Sequence, residues 1–493
     1  MGSYKNKITE SKIVPLAVTF IALWVILTIP FKIISYGFLP PDDALRHAAK
    51  AVSDKDWSRI LVLRDDIKMD PHPGWHAILG AVHKAENFDT HSLVLFSIIF
   101  LFFLVSLVPI ILLERPEAWL IALLAAATAY PSFIFRMLLG RPYIVTIASI
   151  LAIGILWPKL REKKTPYGVL AALTTLVALS TWIHGGWYYF ILPAACFYIA
   201  RQWRPAFLLT VVTAVGSIIG ASWTGHPWQF LNQTVYHIFI SLGNVEFQRF
   251  LVSEFQPFGG DFIVVSIVLF MLIWRSLRGE WETKFITGDP VFILAIAGWS
   301  LGFITTRAWI DLGVPATILW IAQEFQSVIK NKMPKLSFNR LFLVAAVAGI
   351  LWLSTTNDIS SRWSETRPKS FISLENAKQA PWLPSPGGIL YSDDMSIFYQ
   401  VFFKNPHAEW RYVLGFEPAL MKPDDLAIFR NIQATCRAFT SFGPWVRKMT
   451  PKDRLIIRHM SEKAPNIPGL EWGYVADGIW SGRIPINKTS FSK

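Results

Sequence analysis

Long apolar runs set the rhythm of this chain, and each gives way to a polar or charged connection. The runs fall at about 13–34, 92–113, 118–135, 142–157, 167–183, 187–200, 206–222, 261–274, 289–305, 308–325 and 340–354. A helix needs about 20 apolar residues to cross ~30 Å of hydrocarbon. The pattern therefore predicts a polytopic α-helical membrane protein with about 11 transmembrane helices.

The connections sort by charge. Lys5, Lys7 and Lys12 precede the first run, Arg115 follows the second, and Lys159, Arg161, Lys163 and Lys164 follow the fourth. Arg201 and Arg204 follow the sixth run, Arg275, Arg278 and Lys284 the eighth, and Lys330, Lys332, Lys335 and Arg340 the tenth. If the runs alternate across a bilayer, all of these share one side, and the positive-inside rule makes that side cytoplasmic. The expected protein is integral to the plasma (inner) membrane, with a cytoplasmic N-terminus and an extracytoplasmic C-terminus. The 13–34 run is longer than a signal h-region and has no small-residue cleavage site, so it reads as a retained first span.

Three polar stretches then share the outer face: the loop 35–91, the loop 223–260 and the tail 355–493. From Pro381 the tail carries short apolar runs between Pro, Gly and Asp turns, the pattern of a small mixed α/β domain. The expected organisation is a transmembrane domain over 1–354 and a C-terminal extracytoplasmic α/β domain over 355–493.

Composition sharpens this reading. The chain is 53% hydrophobic, 14% aromatic and only 16% charged, against about 25% charged for soluble domains. A net charge of +13 suggests nucleic acid at first sight. A nucleic-acid binder gathers its cations on one face, whereas here they fall between the apolar runs, so no nucleic-acid partner is expected. Two cysteines, Cys196 in an apolar run and Cys436 in the tail, provide no disulfide framework.

Candidate chemistry concentrates in 38–83. Pro40 and Pro41 end the first helical run, and Asp42 and Asp43 follow at the expected membrane surface. Adjacent carboxylates there suit a general base or a divalent cation, while Asp42 equally suits the N-cap of an Ala-rich helix over 44–52. His47 lies one helical turn beyond Asp43 and is placed to orient it. His72 and His76 are four apart, but Pro71 and Pro73 argue against a helix through His72, and no third ligand has zinc spacing, so no metal site is assigned. Outer-face cations are few. Arg136 and Arg141 bracket the turn after the third run, and Arg307 lies between the ninth and tenth. Guanidiniums beside hydrocarbon face a cavity or a partner, or snorkel to head groups. Three converging here suit a phosphate, and Arg307 also has Asp311 one turn on as an ion-pair partner. His184, followed by Gly185 and Gly186, allows close backbone approach to a phosphate or sugar. In the 223–260 loop, His226, Glu246, Gln248 and Arg249 are further polar positions, with solvation as their simpler role.

The order of these features resembles the GT-C superfamily of polytopic glycosyltransferases, nearest the protein mannosyltransferase and aminoarabinose transferase type. The likeness rests on a single span, an outer loop opening with Asp42-Asp43, an amphipathic stretch, and Pro71-His72-Pro73-Gly74-Trp75-His76 before the second span. A narrower likeness, to a GT-C-like set of unsettled substrate, takes in Arg141-Pro142, His184-Gly185-Gly186-Trp187, Gly288-Asp289-Pro290, Arg307 through Pro315, and in the tail Tyr391-Ser392-Asp393-Asp394 and Tyr412-Val413-Leu414-Gly415-Phe416-Glu417-Pro418. The resemblance implies transfer of a sugar from a polyprenyl-phosphate donor to an acceptor on the outer face. It implies catalytic roles for Asp42 and Asp43, and donor-phosphate roles for Arg136, Arg141, His184 and Arg307. The second outer loop lacks an Asp-x-Asp motif, which argues against a metal-dependent mechanism and leaves a divalent cation only as an option, and the tail lacks Trp-Trp-Asp, which argues against sequon glycosylation. The alternative is a non-catalytic transporter or assembly subunit that binds a lipid-linked saccharide or a partner.

Overall fold

A computed structural model describes residues 2–67, 69–164, 166–242, 254, 256–280, 287–366 and 371–485. All 11 apolar runs lie on helices. Six of these are long and apolar enough to cross a bilayer: Ile13–Ser35, Thr90–Leu112, Tyr143–Leu160, Tyr167–His184, Trp203–Ser222 and Asn339–Thr356. A seventh, Pro116–Ala129 with Pro131–Met137, is broken by a 112° bend. Pro131 explains the break, because it removes a backbone donor and pushes Tyr130 out of helical geometry, to ψ 69°. The remaining expected spans fall on shorter or more polar helices: Trp187–Ile199, Phe262–Leu277, Pro290–Gly302 and Val314–Lys332.

Apolar side chains such as Leu16, Phe20 and Trp24, Phe270 and Ile273, and Phe342 and Leu353 stay exposed on these helices. Such faces suit lipid, where every backbone group is satisfied within its own helix. Small residues let the helices close on one another. Gly216 lies against Thr174 and Val177, and Gly220 against the Ala178 carbonyl, so Trp203–Ser222 seats directly on Tyr167–His184.

The tail forms a five-stranded sheet of order β2-β1-β3-β5-β4. The strands are β1 (Ile389–Tyr391), β2 (Arg411–Tyr412), β3 (Arg454–Arg458), β4 (Glu471–Ala476) and β5 (Ile479–Arg483). β1 pairs in parallel with β2 and β3, with the helix Met395–Lys404 crossing over between β1 and β2, and β5 pairs antiparallel with β3 and β4. Asp394 starts that crossover helix as its N-cap, accepting from the Ser396 N–H at 2.9 Å.

The first polar stretch does not stand apart from this sheet. Leu61 bridges to Tyr412 and Leu63 to Met421, while Ala49, Trp57, Ile60 and Leu61 share one buried cluster with Leu390, Phe398, Val401 and Tyr412. The segment after the first long helix is thereby clamped between the helical bundle and the tail.

Candidate functional site

Asp42 has the extended backbone of a helix N-cap, and its carboxylate accepts from the Asp43 N–H to begin the helix Asp43–Ser53. The same carboxylate receives two donors from Arg141: Nε reaches Oδ1 at 2.9 Å, and Nη2 pairs with Oδ2. Capping and ion pairing therefore coexist in one residue. Arg141 gets there because Gly140, at φ +66°, turns the chain close under Ala44, where an added Cβ would meet the Ala44 and Ser97 side chains at 3.3 Å. Asp43 accepts from Arg46 Nε at 2.7 Å and lies 3.7 Å from Arg141.

Glu254, from the second polar loop, ties this pair to the next. One of its oxygens accepts from Arg141 Nη1 at 2.8 Å and also from Arg136 Nη1. Arg136 is buried at the end of Pro131–Met137, over the Tyr143 ring at 4.4 Å. It also donates to Asp311 at 3.0 and 3.2 Å. Asp311 is buried in a π-turn, Trp309–Gly313, a distortion that lets one helix aim an extra side chain inward. Arg307 completes the set through Nε to Asp311 at 3.2 Å, so the pair one helical turn apart does form.

Five of the six residues given catalytic or donor-phosphate roles, Asp42, Asp43, Arg136, Arg141 and Arg307, thus belong to one continuous ion-pair network. His184 is a neighbour rather than a member. Its Nδ1 is 2.9 Å from the Thr146 hydroxyl, its ring stands edge-on to Tyr143, and it stacks on His72 at 5.9 Å.

Sequence reasoning missed three contributors. Glu254 sits in a loop without periodicity, and nothing local marks it. Arg46, which nothing in its local sequence marks, is 2% exposed and lies under Phe416 of the tail at 3.9 Å, a cation–π contact. Tyr399, from the tail's crossover helix, faces the acidic pair, and burial together with the Asp43 charge pushes its hydroxyl well above the usual tyrosine range. His226 is exposed, and Glu246, Gln248 and Arg249 lie outside the described residues.

His47 does not orient Asp43 as expected. Its Nδ1 is instead 2.8 Å from Nε2 of His76, a long-range partner that outcompetes the neighbour one turn away. Among the described residues, no group of three or more His, Cys, Asp or Glu side chains converges as a metal site. Asp393 pairs with Arg437, and Asp394 with Arg458, within the tail.

Burial alone would raise the Asp43 carboxyl, but Arg46 and Arg141 outweigh it and hold the group well below the usual range. Glu254 follows the same balance: burial opposes, Arg141 and Arg136 prevail, and its value falls to about 2. Both are firmly anionic at neutral pH. Four carboxylates (Asp42, Asp43, Glu254, Asp311) face four guanidiniums (Arg46, Arg136, Arg141, Arg307), an arrangement that holds charge without net charge. An incoming anion can take a carboxylate's place on the guanidiniums, and a hydroxyl can be held by the unshared lone pairs of Asp43.

No family model matches this chain, and no curated protein matches it.

Proposed function

We propose that this chain is a membrane glycosyltransferase of GT-C type that moves a sugar from a polyprenyl-phosphate donor to an acceptor on the outer face. The observation that carries the reading is the network itself. Carboxylates just past the first long helix meet guanidiniums from three later segments in one buried cluster. In this reading the 11 apolar helices are the spans of a GT-C-like arrangement, and the charge of the connections sets the N-terminus in the cytoplasm.

Asp42 and Asp43 engage the acceptor hydroxyl. Arg136 and Arg141 take the donor phosphate in place of Glu254, and Arg307 and His184 flank it. As the bond from the sugar to the phosphate oxygen breaks, the guanidiniums stabilise the charge left on the departing polyprenyl phosphate. The tail, by bringing Tyr399 and Phe416 to the site, walls off the acceptor side.

The test is release of polyprenyl phosphate from a panel of polyprenyl-phosphate-linked sugars by the purified full chain in nanodiscs. Wild type releases it, and Asp42→Asn with Asp43→Asn does not, although the variant expresses and binds the donor. Full release by the double variant overturns the mechanism. The mutual pairing of every charge in the network favours a second reading, a non-catalytic subunit that binds a lipid-linked saccharide. In that case wild type retains the donor without turnover.

A further inference from the structure

Next to the ion pairs runs a chain of imidazoles that the reaction as proposed leaves unused. Asp70 Oδ2 is 2.6 Å from His76 Nδ1, and His76 Nε2 is 2.8 Å from His47 Nδ1. His47 is 1% exposed and His76 7%. The Nε2 of His47 is buried and has no hydrogen-bond partner among the described residues.

The placement of protons follows from the donors and acceptors. Burial alone would raise the Asp70 carboxyl, but His76 beside it, with the His72 N–H at 3.0 Å, draws it well below the usual range. An ionised carboxylate only accepts, so His76 carries its proton on Nδ1 and presents a lone pair at Nε2. His47 must then donate from Nδ1, which leaves its Nε2 as a bare lone pair. The opposite tautomer would set two lone pairs against each other at 2.8 Å and bury an N–H with no acceptor. A resting imidazolium is disfavoured as well, by burial and by the charged and titratable groups around His47: Arg46, His76, His72 and Arg141. Around His76 stand Asp70, Lys50 and Arg46. The chain therefore delivers one outcome, a neutral imidazole with a water-shielded basic nitrogen, one helical turn from Asp43.

Asp43 is a poor destination for a proton. Arg46 donates to one of its oxygens at 2.7 Å, and Arg141 faces the other at 3.7 Å. A carboxylate so stabilised grips a hydroxyl well but takes its proton reluctantly. We propose that His47 Nε2 is the general base of the transfer, with His76 and Asp70 as positioning residues that fix its tautomer and stabilise the imidazolium; this rests on the transferase reading. The step balances. The acceptor O–H bond breaks, and its proton forms an N–H bond at His47 Nε2. The oxygen's electron pair bonds to the sugar carbon, and the bond from that carbon to the phosphate oxygen leaves its pair on the phosphate. The imidazolium then passes its proton to an oxygen of the departing polyprenyl phosphate, which carries it out of the site and restores the lone pair.

Two measurements on the full chain in nanodiscs test this. Nitrogen-15 NMR of labelled histidines reads the resting state. The expected result is neutral, Nδ1-protonated rings for both His47 and His76 at pH 7, and an Nε2-protonated His47 overturns the proposal. Release of polyprenyl phosphate from a polyprenyl-phosphate-linked sugar reads the role. His47→Gln should lower kcat by ~100-fold or more, the scale of general-base catalysis, with KM for the donor little changed. Asp70→Asn, which removes the counter-charge and keeps the shape, should move the acid limb of the kcat profile to lower pH, because the imidazolium loses its stabilisation. A purely structural role for Asp70 would leave that limb where it is. His47→Gln at wild-type kcat overturns the base assignment alone, whereas a wild type inactive on every donor overturns the transferase reading and the base assignment together.

Discussion

Glu254 offers the sharpest test of whether the buried charges act as one unit. Its carboxylate is 16% exposed and bridges Arg136 and Arg141. Burial raises its pKa, but the two guanidiniums bring it down from 4.5 to about 2. At ~1.36 kcal/mol per pH unit, that difference is about 3 kcal/mol of stabilisation at neutral pH. The sign follows from a folded-state pKa lying below the unfolded one. The contribution is complete above about pH 4.5 and fades as pH falls toward 2. Glu254→Gln should thus cost about 3 kcal/mol at pH 7 and progressively less below pH 4.5. Arg141→Gln strips Asp42 and Glu254 of a shared partner at once, and removing one side of a buried pair costs ~3–5 kcal/mol. In the double variant the orphaned Glu254 charge is gone, so the two effects should fall short of additivity by ~1–3 kcal/mol. Reversible unfolding of wild type, both single variants and the double variant in mixed micelles, at neutral and acid pH, measures every term. Additivity within ~0.5 kcal/mol, or a Glu254→Gln deficit that persists unchanged at pH 3, would refute the network.

Other elements make separate predictions. Arg340 and Glu117 form a buried two-bond pair, 2% and 0% exposed, with Nε to Oε1 at 2.6 Å; Glu117→Gln should cost ~3–5 kcal/mol, and a Glu117→Leu, Arg340→Met double variant much less, by the same unfolding assay. Gly220→Leu drives a side chain into the Ala178 carbonyl and should separate the two helices it joins, costing at least ~1–3 kcal/mol and lowering the yield of folded protein in detergent. Phe416→Ala removes the ring that stacks on Arg46 and touches Trp57 at 4.9 Å, for a loss of ~3–5 kcal/mol. Proteolysis should then cut faster between Thr356 and β1, as the tail loosens from the bundle.

Much of this architecture was legible because hydropathy is a local signal. Every apolar run became a helix, and the Asp42-Asp43 pair could be found because Pro40-Pro41 must stop the first one. The convergence of Arg136, Arg141 and Arg307 was legible by a different route, since guanidiniums next to hydrocarbon need partners. What stayed hidden depends on distant contacts. Nothing near Arg46 announces Phe416, and nothing near Glu254 announces two arginines. His47 shows the ambiguity most plainly: helical spacing points it at Asp43, while the fold turns it to His76. Six of the expected spans are helices long and apolar enough to cross a bilayer, and run length alone does not foresee how others break. The 118–135 run bends at Pro131, and the 308–325 run opens with a π-turn that carries a buried carboxylate.

Charge balance in the cluster also discriminates among donors for the transferase reading. Four carboxylates neutralise four guanidiniums, and in a low-dielectric setting any excess charge is expensive. A phosphodiester-linked sugar carries one negative charge, so its entry is an even exchange for the Glu254 carboxylate between Arg136 and Arg141. A pyrophosphate-linked sugar carries at least one charge more, and to bind it the site would have to release a second carboxylate. Asp42 is the nearest, and it is also the cap that starts the Asp43–Ser53 helix, so its release disorders the acceptor side. The monophosphate-linked donor should therefore bind at least ~10-fold more tightly than its pyrophosphate counterpart, the ratio that ~1.4 kcal/mol supplies. Titration calorimetry in nanodiscs with the two lipids measures it. Glu254→Gln adds a check of sign: it leaves the cluster one positive charge in excess with no carboxylate to displace, so both lipids should bind more tightly while the preference, set by Asp42, holds. A pyrophosphate lipid that binds as tightly as the monophosphate to the wild type would mean that Glu254 is not the group the donor displaces.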